Sequence, residues 1–150
     1  MTNPLTFRIP RRTYLDWLRG ANLIVLERAE RVQLRDGVQW RQDHPEDAAL
    51  LDALVGKVVR LRSSRTTNGG QKRMRGEPFL VIDTWFGRLH GIEPVVAQGK
   101  LSVPILLKPE WVSLDTKTPF MVFGRRELDG LAQNGRDGDG VAESPPGPPP

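Results

Sequence analysis

Between Gly56 and Gly76 stand seven Lys or Arg residues (Lys57, Arg60, Arg62, Arg65, Lys72, Arg73 and Arg75) and no Asp or Glu. The stretch carries +7 while the 150-residue chain sums to +4, so everything outside it sums to −3. Guanidinium and ammonium groups at this density are suited to phosphate oxygens, Arg through paired N–H donors and Lys as a compact charge. Ser, Thr and Asn residues are interleaved among them, and Gly69 and Gly70 allow the backbone to approach an anion closely and offer it amides. The candidate phosphate contacts are Arg65, Lys72, Arg73 and Arg75 in the loop, with Arg60 and Arg62 flanking it. The competing reading is a solvated loop that is charged because surfaces are charged.

A second constellation is Trp85, Phe86, Arg88 and His90, bracketed by Gly87 and Gly91. Aromatic rings beside an Arg suit base stacking, which adds Arg88 to the candidate set. An alternating strand must nevertheless put Trp85 or Phe86 in the core. His90 reads first as a polar surface residue and only second as a general base. Catalytic signatures are missing: there is no GxxxxGK[ST] and no GxGxxG. With no cysteine, disulfides, thiolate zinc sites and a cysteine nucleophile are excluded. His44 and His90 are too far apart in sequence for metal-ligand spacing. Asp137-Gly138-Asp139-Gly140 fails as a calcium loop, because position 135 is glycine and the closing Glu is missing. No catalytic residue, metal or cofactor is assigned.

The elements that must hold these residues follow from pattern. Lys57–Leu61 and Phe79–Asp83 are apolar β-type runs that make the basic stretch the loop of a hairpin. On strand 57–62, Val58 and Leu61 cannot share a face in strict alternation, so either a bulge or burial on both faces is required. Arg60 and Arg62 share the face of Val58. Further strands are expected at 79–86, 92–98, 101–107, 112–114 and 118–123, with a polar turn or short helix leading to Leu131.

Upstream, Leu5–Ile9 reads as a strand stopped by Pro10. Thr13 caps a short helix, Tyr14–Arg19, with Asp16 three residues on and Gly20 as its left-handed stop. Tyr14, Trp17 and Leu18 share one face of it, directed at the core. Leu23–Leu26 reads as a buried strand, although the continuation through Val32 also fits a helix. Val32, Leu34, Val38 and Trp40 fall at even positions around Asp36-Gly37, which predicts a hairpin with an Arg35-Asp36-Gly37 loop and Leu34 opposite Val38. Pro45 with Glu46 and Asp47 opens a helix over 46–55 that stops at Gly56.

Two resemblances add to this. Ile105 to Leu107, then Lys108-Pro109-Glu110-Trp111, then Val112 to Leu114 make a strand, a one-turn helical step with an aromatic, and a short final strand. That order resembles the closing segment of SH3-like barrels, whose longest excursion sits where Ser63–Glu77 does here. Gly70-Gln71 followed by Arg73, Arg75, Pro78 and Leu80-Val81-Ile82 resembles the MazF/PemK-type ribonuclease toxins over residues 56–83. This second resemblance implies that Arg73 or Arg75 would stabilise the transition-state phosphate of RNA cleavage.

The expected fold is therefore α+β: an SH3-like antiparallel β-barrel over 56–129, a helix–hairpin–helix extension over 1–55 packed on it, and a disordered tail over 130–150. In that tail ten of 21 residues are Gly or Pro, too little apolar surface to repay the entropy of ordering. The expected function is non-enzymatic nucleic-acid binding through DNA or RNA backbone contacts. A metal-independent endoribonuclease and an adaptor for an acidic protein partner are the alternatives. No secretory signal is visible and the longest apolar runs are far below the ~20 residues a bilayer requires, so a cytoplasmic, non-membrane protein is expected.

Overall fold

The computed structural model describes residues 4–67, 70–95 and 104–135. The fold is α+β. Its centre is a five-stranded antiparallel sheet of β2 (Val58–Leu61), β5 (Pro78–Trp85), β6 (Arg88–Ile92), β7 (Ile105–Leu107) and β8 (Val112–Asp115) in the order β7-β6-β5-β2-β8. The edge strands β7 and β8 form no ladder with each other among the described residues. A single 3₁₀ turn, Pro109–Trp111, joins them in sequence. The expected strand at 92–98 instead ends at Ile92, and positions 96–98 lie outside the described residues.

Burial on both faces is what holds this sheet. Val59, Leu61, Phe79 and Val81 point into one cluster with Leu89, Leu107 and Leu51. Val58, Leu80 and Ile82 point into another, which the N-terminal strand β1 (Leu5–Arg8) covers with Phe7. β1 pairs in parallel with β9 (Phe120–Phe123), so the first and last strands make one separate ribbon over the second face. Residues 1–55 are thus not an appendage to a finished barrel, because their first strand completes the core beneath Val58, Leu80 and Ile82.

Helix α1 (Tyr14–Gly20) starts at Thr13, whose hydroxyl accepts from the Asp16 amide while the Asp16 carboxylate accepts from the Thr13 amide. Its stop is Ala21 in extended backbone rather than a left-handed Gly20. Leu15 and Leu18 are buried, whereas Tyr14 and Trp17 lie half-exposed and stacked on each other at 5.9 Å. Leu23–Val25 is a 3₁₀ turn, not a buried strand, and all three side chains are exposed.

The expected hairpin at 31–41 is a helix, α2 (Arg28–Asp43), followed directly by α3 (Pro45–Asp52). The face that α2 turns inward runs through Glu30, Leu34, Gly37, Trp40 and Arg41, which contains too few apolar residues to show a helical period. Gly37 is there because of proximity, not because of a turn. A Cβ on it would lie 2.1 Å from the Trp85 ring. The chain leaves α3 through a turn ending at Gly56, whose φ of +88° favours glycine.

β9 runs into α4 (Arg125–Gly135), which extends past the expected start of the tail at Gly130; residues 136–150 lie outside the described residues. Leu128 and Ala132 of α4 are buried, Leu128 in the cluster with Val58, Leu80 and Ile82. Among the described residues no helix is long and apolar enough to cross a membrane.

One substitution tests this packing by thermal denaturation. Gly37→Ala improves helix propensity by about 1 kcal/mol, yet is expected to lower stability by a net amount of at least about 1 kcal/mol because the methyl group meets Trp85.

Candidate nucleic-acid interface

The loop between β2 and β5 is itself a small hairpin, β3 (Arg65–Thr66) paired with β4 (Lys72–Arg73), with Arg65 opposite Arg73. It folds back over the Pro109–Trp111 turn. The Arg62 amide donates to the Trp111 carbonyl at 2.8 Å, and its side-chain Nε donates to the Val112 carbonyl at 2.9 Å. The Arg65 guanidinium lies 4.3 Å from the centre of the Trp111 ring and Lys108 Nζ lies 5.6 Å from it. Arg62, Arg65 and Lys108 thus converge on one half-buried tryptophan. Lys72 and Arg75 stand exposed on the β3–β4 arm, where Ser64 Oγ accepts from the Arg75 amide.

Stacking on an indole holds the flexible Arg65 side chain without consuming its charge, so less entropy is lost when a ligand binds. Apart from the ring, its guanidinium contacts Ser63 Oγ at 3.2 Å. Among the described residues Arg62, Arg65, Lys72, Arg75 and Lys108 have no carboxylate within ion-pair distance. Glu110, exposed on the turn, is the adjoining acid. Such a surface can hold an extended polyanion. It carries neither a paired acid and base nor a metal cluster among the described residues.

The structure separates the seven sequence candidates. Arg62, Arg65, Lys72 and Arg75 belong to this surface. Arg60 is used internally: its Nε donates to Asp115 at 2.7 Å, and its terminal nitrogens donate to the Gly76 carbonyl and the Thr118 hydroxyl. The Thr118 hydroxyl, the Arg60 guanidinium and the Lys117 amide together hold the Asp115 carboxyl well below the usual carboxylate range. Arg73 is buried, packed over Phe79 at 5.9 Å, paired with Glu93 and bonded to Gln71. Its charge is neutralised inside the fold. Arg88 is exposed but sits beside Trp85, at the far end of β5 from Pro78 and the Arg60 end of β2. Eight strand residues separate those ends by about 25 Å.

Gly70 does not offer its amide to an anion, because that amide donates to the Thr67 carbonyl at 3.0 Å. Gly69 lies outside the described residues. The stacking platform expected at Trp85 and Phe86 is absent as well: Trp85 is buried beneath α2, with Phe86 half-buried against it at 5.4 Å. His90 is half-buried on β6, and burial, partly opposed by the Asp83 charge, lowers its pKa and favours the neutral ring. Lys108 and Trp111 were not among the sequence candidates. Their signal was the Lys-Pro-Glu-Trp helical step, which places a cation and an aromatic on one short turn.

Comparison with known proteins returned no matching family model, no matching curated protein and no matching solved structure.

The sorting of the arginines predicts unequal effects on stability for near neighbours. Arg73→Ala is expected to cost about 2 kcal/mol, less than the roughly 3–5 kcal/mol of a fully buried pair because Glu93 keeps some water. Arg75→Ala is expected to stay within about 0.5 kcal/mol of the parent. Urea denaturation of the two variants distinguishes the roles.

Proposed function

We propose that the chain is a small nucleic-acid-binding or nucleoprotein-associated module that grips the phosphate backbone with Arg62, Arg65, Lys72, Arg75 and Lys108. The observation that carries this reading is the convergence of Arg62, Arg65 and Lys108 on Trp111, with no carboxylate pairing them. Phosphate contacts of this kind give affinity without base selectivity, and an aromatic–cation stack beside them tolerates any base. The scaffold in this reading is an SH3-like barrel. The strand order β7-β6-β5-β2-β8 and the 3₁₀ turn before β8 support it, with the β3–β4 arm as the long excursion after the first barrel strand. Arg73, internally paired, is set aside from the binding surface in this proposal.

The test is fluorescence anisotropy of a labelled, mixed-sequence single-stranded oligonucleotide over a salt series. Log affinity is expected to fall linearly with log salt. The triple variant Arg62→Ala/Arg65→Ala/Lys108→Ala is expected to lower the slope by roughly 2–3 with folding intact. Salt-independent binding, or an unchanged slope in the triple variant, would sink the proposal. Cleavage of RNA in EDTA that disappears in Arg75→Ala would replace it with the endoribonuclease reading.

A further inference from the structure

Helix α2 leaves an unusual surface on its solvent side. Leu23, Val32, Leu34 and Val38, together with Arg28, Arg31 and Arg35, line an open trough of about 790 Å³. Val32 and Val38 are 36% and 47% exposed, and the preceding 3₁₀ turn adds Leu23, Ile24 and Val25 at 56%, 85% and 66%. Apolar side chains this exposed, grouped rather than scattered, mark a contact surface. At about 100° per residue, Arg28, Arg31 and Arg35 form one row along α2, with Val32 to one side of it and Val38 to the other.

Charge selects the occupant. No carboxylate lines the trough. Nearby acids on α2 are engaged elsewhere: Glu30 accepts from the Glu27 amide and the Tyr14 hydroxyl, and Asp43 accepts from Gln39. Arg28 makes no ion pair among the described residues, Arg31 reaches back to the Leu26 carbonyl, and Arg35 has an exposed pair with Asp36 that is worth little. A second copy docked on this face would bring a second arginine row against the first, and like charges across an interface are repelled. We propose that the trough docks an acidic amphipathic helix of a protein partner, whose apolar side chains cover Leu23, Val32 and Val38 and whose carboxylates meet Arg28, Arg31 and Arg35. Carboxylates spaced at i, i+3 and i+7 match the arginine row, and helix-in-groove recognition reads that same spacing. The site is separate from the Trp111 surface and does not depend on nucleic-acid binding.

The probe is a labelled amphipathic model peptide with leucines at helical spacing and glutamates flanking them, compared with a counterpart in which lysine replaces every glutamate. Anisotropy with the full chain is expected to show binding of the glutamate peptide and at least about tenfold weaker binding of the lysine peptide. Val38→Asp and the double variant Arg28→Glu/Arg35→Glu are each expected to weaken the glutamate peptide at least about tenfold. The double variant is also expected to gain affinity for the lysine peptide, a reversal that a merely misfolded variant cannot produce. The Arg62→Ala/Arg65→Ala/Lys108→Ala variant is expected to bind the glutamate peptide as the parent does, which keeps this result independent of the nucleic-acid reading. Equal binding of the two peptides, or binding of neither, overturns the proposal. So does a dimer in solution that Val38→Asp dissociates, or adsorption to phosphatidylglycerol vesicles that Val38→Asp abolishes while neither peptide binds.

Discussion

The fold depends on one constraint: the central pair β2 and β5 is apolar on both faces. Val59, Leu61, Phe79 and Val81 require a cover on one side, and Val58, Leu80 and Ile82 require another on the opposite side. The cluster on the first face of the five-stranded sheet satisfies only half of this. The other half is supplied by the β1–β9 ribbon and α4, which brings the two ends of the described chain onto the same face. The N-terminal strand is therefore part of the core, and Leu128 of α4 is buried in the same cluster.

The same constraint sorts the basic residues. Where a cation's position falls against the covered sheet, it must be paired, since an uncompensated buried charge costs several kcal/mol. Arg60 meets this requirement through Asp115, Thr118 and Gly76, and Arg73 through Glu93 and Gln71. Beyond the sheet edge the requirement lapses. Arg62, Lys72 and Arg75 remain exposed, while Arg65 and Lys108 rest on Trp111. A run that looks uniform in charge is thus a structural set and a surface set interleaved residue by residue.

Helix α2 shows a third consequence. Trp85 at the end of β5 needs a cover, and a helix approaches it closely only where a residue has no side chain; Gly37 meets that need. Turning Gly37 inward rotates Val32 and Val38 outward, and the arginines with them. The packing of one tryptophan thereby generates the exposed trough on the other side of the helix.

Much of this was legible in the sequence. The α+β class, the Thr13–Asp16 capping box, the helix opened by Pro45, strands β2 and β5, the Pro109–Trp111 turn and β8 all follow from local signals of capping, alternation and turn chemistry. The spacing of Val58 and Leu61 required either a bulge or burial on both faces of β2, and the structure shows the second. The helical state of 28–43 did not, because its inward face includes Gly37, Glu30 and Arg41, and Gly37 faces inward for Trp85, which lies far along the chain. Nor could charge alone separate Arg73 from Arg75 two positions later. The sequence by itself determined how much positive charge lies between Gly56 and Gly76. Only the tertiary structure decided which of those charges reach solvent, because that depends on Glu93, Asp115, Trp111 and Lys108, which local sequence does not connect to the loop.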